Sequence, residues 1–304
     1  MSTSKGNASS NICANCGKEG SDVTNTCNKC KSVMYCNAAC KKRHRHKHKK
    51  ECERRVAELH DEKLFKKPPP LEECPICFLR LPSLYTGRVY MNCCGKNVCT
   101  GCHHAVQIGD GSLCPYCRTP VPLFDDYKMI KRYEKRSELD DPQAICSLGC
   151  FYSRGDFGFR PNRVKARELW HRAVKLGCVQ SCYNIGYAYM NGRGVEIDKK
   201  KATHYYEVAA MGGDILARHN LGCNEWRAGN INRALKHFMI AVEDGNAKSL
   251  ENIKFMCKDE HATKDDYNKA IRSYEAYLDE IKSVQRDEAA AFDDRKKYYD
   301  SANL

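Results

Sequence analysis

Residues 74–117 read CPICFLRLPSLYTGRVYMNCCGKNVCTGCHHAVQIGDGSLCPYC. Eight of the 21 cysteines in this 304-residue chain fall there, as Cys74-x2-Cys77, Cys93-Cys94, Cys99-x2-Cys102 and Cys114-x2-Cys117. Two thiols two residues apart can grip one face of a tetrahedral zinc ion. One such pair arises often by chance, whereas three pairs and a doublet within 44 residues make a metal framework.

Compartment decides whether so many thiols mean metal or disulfides. The opening MSTSKGNASSNICAN has no apolar run of signal-peptide length, and no stretch of about 18 apolar residues occurs anywhere. The expectation is a soluble chain of the cytoplasm or nucleus with no membrane span, whose reduced thiols favour zinc. The formal charge is +13, and residues 1–70 hold 16 Lys and Arg against 7 Asp and Glu. That excess alone suggests a polyanion partner. Each ligating cysteine becomes a thiolate, however, and 15 of them on about four zinc ions lower the sum to about +6. Nucleic acid is therefore not the expected partner.

Before the central stretch comes Cys13-x2-Cys16-x10-Cys27-x2-Cys30-x5-Cys36-x3-Cys40-x7-His48-x3-Cys52. Cys36 and Cys40, like His48 and Cys52, stand four residues apart, which puts each pair on one helical face. Two knuckles and two helical pairs make eight ligands for two ions. This order resembles the MYND zinc finger over residues 13–52. The family is cross-braced, so the resemblance implies Cys13, Cys16, Cys36 and Cys40 at one zinc, and Cys27, Cys30, His48 and Cys52 at the other. Tyr35 fits the family's aromatic habit, while Arg45 stands where the family usually has tryptophan. MYND fingers commonly bind short proline-containing peptides. The run KKRHRHKHKK, residues 41–50, reads as the solvated face of a ligand-bearing helix, with a nuclear-localisation or phosphate-contacting patch as the sharper alternative. His44 shares a face with His48 and could replace it. Residues 1–12 are small and polar and predict disorder. Residues 53–73 predict a helical linker with Val56, Leu59, Leu64 and Phe65 available for packing, stopped by three prolines at 68–70.

The ligand order of residues 74–118 resembles a RING finger of the all-cysteine kind. Lys96 occupies the usual histidine position if Cys94 is the third ligand, and lysine cannot serve, so Cys93 and Cys94 are taken as third and fourth. The resemblance then implies Cys74, Cys77, Cys99 and Cys102 on one zinc and Cys93, Cys94, Cys114 and Cys117 on the other. His103 or His104 could replace one of the doublet. A RING performs no covalent chemistry; it holds a charged ubiquitin-conjugating enzyme so that its thioester is well placed for attack. Ile76 and Pro115 match the positions that offer an apolar groove to that enzyme, and Arg118 matches the basic position set against ubiquitin. The same identities also suit a plain structural knuckle.

After Pro122 a period takes over. Ala144, Ser181, Ala217 and Ser249 are each followed four residues on by Leu148, Ile185, Leu221 or Ile253. A second column, Ala166, Ala202, Ala234 and Ala270, is followed at the same distance by Trp170, Tyr206, Phe238 and Tyr274. Small residues one turn from large ones describe paired helices that pack closely into a stacked array. The segments LGCFYSRG, IGYAYMNGRGV and LGCNEWRAG, with KARELWHRAVKLG, KATHYYEVAAMGG and RALKHFMIAVEDG, resemble Sel-1-like repeats, relatives of tetratricopeptide arrays, over residues 127–284. The fourth unit has Lys254 in place of the first-helix glycine, and Ile281 replaces a closing glycine, so the last helix should run on and cap the array. Residues 127–139 predict a cap at the other end. Cys146, Cys150, Cys178 and Cys182 read as small buried residues, and residues 285–304 as a frayed charged tail.

The expected architecture is two small zinc-stabilised modules followed by an all-α solenoid, holding about four Zn2+. No phosphate loop or nucleophile elbow occurs, which excludes the familiar kinase and hydrolase classes. Two functions remain: a RING-type ubiquitin ligase whose repeats hold the substrate, or a non-catalytic scaffold that docks peptide motifs of protein partners.

Overall fold

A computed structural model describes residues 11–69, 72–109, 113–122 and 125–299. The disorder expected of residues 1–12 falls almost wholly outside that range. The chain divides into two compact units, Met1–Lys66 and Lys67–Leu304.

In the first unit, a short hairpin of β1 (Asn25–Thr26) and β2 (Met34–Tyr35) leads into α1 (Ala38–Leu64). The Asn37 side chain caps α1 by accepting from the Cys40 amide at 2.8 Å. Neither glycine nor proline occurs between Ala38 and Lys67, so nothing ends the helix at Cys52. One 27-residue helix therefore carries both the last ligands of the finger and the helix expected of the linker. Arg54 and Arg55 bridge Glu51, Glu58 and Glu62 along its exposed side. Such surface pairs contribute a few tenths of a kcal/mol each.

The second unit begins with an antiparallel hairpin, β3 (Arg88–Met91) and β4 (Lys96–Cys99), in the register Arg88 to Cys99, followed by α2 (Thr100–Gly109). Among the described residues nine helices of the array follow: α3 (Asp126–Glu138), α4 (Pro142–Arg154), α5 (Arg163–Lys175), α6 (Val179–Asn191), α7 (Lys199–Met211), α8 (Ile215–Arg227), α9 (Ile231–Glu243), α10 (Ala247–Lys258) and α11 (Lys264–Ile281). Asp125, Asp141, Asn162, Asp198, Asp214, Asn246 and Thr263 cap seven of them through their side chains, each contribution being about 1 kcal/mol. Both small-residue columns are fully buried. The glycine in the first helix of each of the first three repeats explains the aromatic column there. A Cβ on Gly149, Gly186 or Gly222 would stand 2.6, 2.7 or 2.5 Å from the ring of Trp170, Tyr206 or Phe238. Each ring therefore fills the place of a missing side chain.

The expectation of a frayed tail does not hold for residues 285–299. After α11 the chain turns at Lys282 and forms α12 (Val284–Phe292) and a 3₁₀ turn at Asp294–Lys296. Arg286, Ala289 and Tyr298 are buried there. Nine residues are too few to show a helical period among so many charges, which is why the sequence hides this helix. Ile281 and Tyr277 pack with Tyr298, so this last segment closes the end of the array beyond α11. Among the described residues, no helix is long and apolar enough to cross a membrane.

Candidate metal centres

Among the described residues four clusters of donors form: Cys13, Cys16, Cys36 and Cys40; Cys27, Cys30, His48 and Cys52; Cys74, Cys77, Cys99 and Cys102; Cys93, Cys94, Cys114 and Cys117. Within each, all four donor atoms lie within 4.8 Å of one another. Both modules are cross-braced, because each cluster interleaves with its neighbour along the chain. Zinc bound to sulfurs at about 2.3 Å in a tetrahedron requires edges of about 3.8 Å. The sulfur pairs Cys16 to Cys36, Cys27 to Cys52, Cys77 to Cys99 and Cys94 to Cys114 stand 3.7, 3.7, 3.8 and 3.9 Å apart. The donor sets therefore fit zinc without rearrangement.

Apart from Cys99-x2-Cys102, which runs from β4 into α2, each two-residue knuckle is built in one way. The amide after its second cysteine returns to the carbonyl of the first: Gly17 to Cys13 at 2.9 Å, Lys31 to Cys27 at 3.0 Å, Phe78 to Cys74 at 2.9 Å and Arg118 to Cys114 at 3.0 Å. That turn requires positive φ, and Lys31, Phe78 and Arg118 adopt 57°, 58° and 59° despite carrying side chains. Left-handed backbone at such residues costs about 1–2 kcal/mol each, whereas a structural zinc contributes on the order of 10 kcal/mol. Metal binding easily offsets the strain.

The electrostatics suit a cation. Burial raises the Cys13 thiol, but the backbone amides of Cys36, Cys16 and Asn15 prevail and lower it to about 6. Burial likewise opposes, and the amides of Cys30 and Lys29 with the His48 side chain produce, a lowering of Cys27 to about 6. Their partners move the other way: burial and the sulfurs of Cys40, Cys13 and Cys16 push Cys36 up to about 12. Four crowded thiols share too few stabilising donors for all to ionise, and a divalent ion at the centre removes that conflict. The amides of Cys99, Cys102 and Cys117 each approach a cluster sulfur at 3.4 Å.

The adjacent pair Cys93-Cys94 reaches one centre because it lies in the turn between β3 and β4, not in a strand. Neighbours in a strand point to opposite faces; here the amides of Cys94 and Gly95 both return to the Met91 carbonyl, at 3.2 and 2.7 Å. Gly95 takes φ 74°, and a Cβ there would meet the Arg136 guanidinium at 2.1 Å, so the position excludes other residues on two counts. His104 is engaged elsewhere: its Nδ1 stands 3.0 Å from Lys296 Nζ and its ring 4.9 Å from that of Phe292. His103 belongs to none of the clusters. In the first module His48 Nε2 is 3.2 Å from Cys30 Sγ, while His44 stacks on His48 and faces the Tyr35 hydroxyl at 3.3 Å. Seven of the ten residues at 41–50 are exposed, as a solvated face requires. Among the described residues, no cluster of donors includes the helical cysteines, of which Cys146, Cys178 and Cys182 are buried.

Ile76 is 37% exposed, Pro115 half-buried and Arg118 exposed. Beside them stand two residues that the sequence reading missed, Phe78 at 73% and Tyr116 at 46% exposed. Phe78 was detectable, since it occupies in the first knuckle the place that Arg118 takes in the last.

The second module is fixed to the repeats through side chains. Tyr90 donates to Asp141 at the start of α4 at 2.8 Å, beside the Arg136–Asp141 ion pair at 2.7 Å. Tyr85 donates to Asp214 at the start of α8 at 2.7 Å. Arg80 pairs with Asp244 at 2.5 Å and Glu280 at 2.6 Å and lies over the Tyr277 ring, whose hydroxyl accepts from the Ser83 amide at 2.9 Å. Between the module and the starts of α4, α6 and α8 opens a cleft of about 730 Å³, lined in part by Glu72, Arg88, Lys96, Gln143 and Gln180.

Comparison with known proteins places names on parts of this arrangement. The E3 ubiquitin-protein ligase GW2 of Oryza sativa subsp. indica is 40% identical over 70 residues, 22% of this chain and 15% of that protein. The E3 ubiquitin-protein ligase DA2 of Arabidopsis thaliana is 39% identical over 78 residues, 25% of this chain and 18% of that protein. Chitin synthase regulatory factor 3 of Schizosaccharomyces pombe is 35% identical over 78 residues, 26% of this chain and 8% of that protein. The chain thus spans less than a fifth of the length of these relatives. A solved Sel1 repeat protein from Oxalobacter formigenes aligns with 59% of this chain and 71% of its own, at 24% identity and a TM-score of 0.46. The MYND finger family model matches residues 13–52, and the Sel1 repeat model matches residues 142–178 and 179–214. The chain therefore carries a zinc-binding MYND finger and Sel1 repeats, with a second cysteine-rich metal module between them.

Proposed function

We propose that this chain is a RING-type ubiquitin ligase whose helical repeats hold the substrate, in the cytoplasm or nucleus, with the sixteen clustered cysteines and histidine as its zinc ligands. One observation carries the reading. On a module otherwise fixed to the repeats, both knuckle loops present large side chains to solvent: Ile76 and Phe78 on the first, Tyr116 and Arg118 on the last. Two apolar loop tips beside one cation suit a conjugating enzyme and the ubiquitin it carries. The part-length likeness to two plant ubiquitin ligases supports the same reading.

Bound zinc supplies the fixed geometry of the loops. Ile76 and Pro115 then hold the conjugating enzyme, and Arg118 restrains ubiquitin, so that a substrate lysine meets a thioester of restricted orientation. Because Arg80, Tyr85 and Tyr90 fix the module to the array, a substrate on the repeats stays at a set distance from that thioester.

Zinc-loaded full chain, incubated with activating enzyme, a panel of conjugating enzymes and ubiquitin, is expected to form ubiquitin chains. Ile76→Ala and Arg118→Ala should each slow the reaction about tenfold or more, the loss of one good contact, at unchanged zinc content. Silence with every conjugating enzyme would leave the scaffold that docks peptide motifs as the better account.

A further inference from the structure

Arg286, on α12, is wholly buried, yet among the described residues no carboxylate pairs with it. Its Nη1 donates to the carbonyls of Arg80 at 3.0 Å and Ile281 at 2.6 Å, and its Nε makes no hydrogen bond. The remaining nitrogen, Nη2, points at Cys77 Sγ at 3.9 Å. Arg80, on the same loop as Cys77, makes a useful contrast, since two carboxylates satisfy its charge. A buried guanidinium without a counter-charge is strongly unfavourable. Four thiolates around a divalent ion carry a net charge of −2, and the cluster that Arg286 faces is made of four cysteines.

We propose that Arg286 is the counter-charge of the zinc centre formed by Cys74, Cys77, Cys99 and Cys102, so that the C-terminal helix docks only on the metal-loaded module. The surrounding contacts follow the same line. Gly101 leaves room for the α12 backbone, since a Cβ there would stand 2.8 Å from the Arg286 amide. Gln285 Oε1 lies 4.0 Å from Cys102 Sγ. Thr100 donates to the Lys296 carbonyl at 3.3 Å, and Lys296 reaches His104. Removal of the ion takes away the assembled, doubly negative cluster and leaves a buried cation with nothing to face. Arg286 thus acts as a positioning residue through the ligands, and the end of the chain reports the state of the metal.

Zinc release from the full chain into a chromophoric chelator tests the assignment without any ubiquitin reaction. Arg286→Gln, which keeps hydrogen bonding but not charge, should release one zinc in four about tenfold faster or more, the usual effect of losing a group behind a ligand. Arg286→Lys should restore most of the retention. Equal retention by wild type and Arg286→Gln, or Gln serving as well as Lys, overturns the proposal. Hydrogen exchange of the wild-type chain decides the matter should the variants not fold. Chelation should expose amides 284–299 together with 100–109 while β3, β4 and α4 to α10 stay protected, and unchanged protection of 284–299 overturns it.

Discussion

The two metal modules share one chemistry and differ in what supports it. In residues 13–52 the donors sit on a small hairpin and the start of a single long helix, within a compact unit of its own. In residues 74–118 the same knuckle is tied by Tyr85, Tyr90 and Arg80 to the repeats and covered by α12. The cysteines of the first module pack mainly with Val23 and Tyr35, whereas those of the second share their core with Leu81, Met91 and Val98. Ligand spacing thus specifies a metal site equally well in either setting. It does not specify how much of the surrounding fold depends on the metal.

Chelation is the strongest way to break the comparison. Loss of about 10 kcal/mol per structural zinc should unfold residues 13–52 outright, as read by amide dispersion or proteolysis, whereas the tied second module should keep β3, β4 and its contacts to α4 and α8. Simultaneous collapse of both would show that those ties add nothing. Acid should act in the same order. Cys13 and Cys27 ionise at about 6 instead of the usual 9. Their thiolates therefore favour the folded state fully above pH 9, progressively less from 9 to 6, and not at all below 6. Protons compete with zinc for these sulfurs, so the zinc affinity of the first module should weaken as the pH is lowered.

Glycine substitutions sharpen the contrast at the next scale. Gly17→Ala meets open space and bears only left-handed strain, about 1–2 kcal/mol. Gly95→Ala bears that strain and also strikes Arg136 and Asp141, for a total of about 2–5 kcal/mol. Denaturant melts of the two variants should separate accordingly, and equal costs would remove the tie through Arg136. Smaller again is Tyr85→Phe, which deprives Asp214 of a donor. Burial already raises that carboxyl's pKa, so the loss should cost about 1–2 kcal/mol, while Asp214→Asn, still able to cap α8, should cost less.

Much of this was legible in the sequence because its constraints are local. A knuckle needs two sulfurs at fixed spacing, and a repeat needs Ala166 beneath Trp170 at the same offset as Ala202 beneath Tyr206. The donors of both modules and the helical pairing of the array follow from such offsets, whereas the cross-braced sorting of the donors into four sets rests on the resemblance to the two zinc-finger families. The doublet Cys93-Cys94 was harder, since its solution depends on a turn held open by Gly95. What stayed hidden is long-range. Nothing near Arg286 announces that it faces Cys77 across 209 positions, and nothing near Tyr277 announces Ser83. Charged residues in a short terminal segment look the same whether they meet solvent or a buried thiolate cluster.

The ties between the second metal module and the repeats also bear on how this architecture can change. Stacked-repeat proteins ordinarily gain and lose units freely, because each unit touches only its neighbours. Here one zinc module reaches Asp141 before the first repeat, Asp214 and Asp244 in the middle, and Tyr277 and Glu280 at the last helix. It acts as a gauge block: a duplicated or deleted repeat would displace one set of contacts by a full unit. The number of repeats between α4 and α11 is therefore set by the module beside them, and natural length variation should be confined to segments that it does not touch.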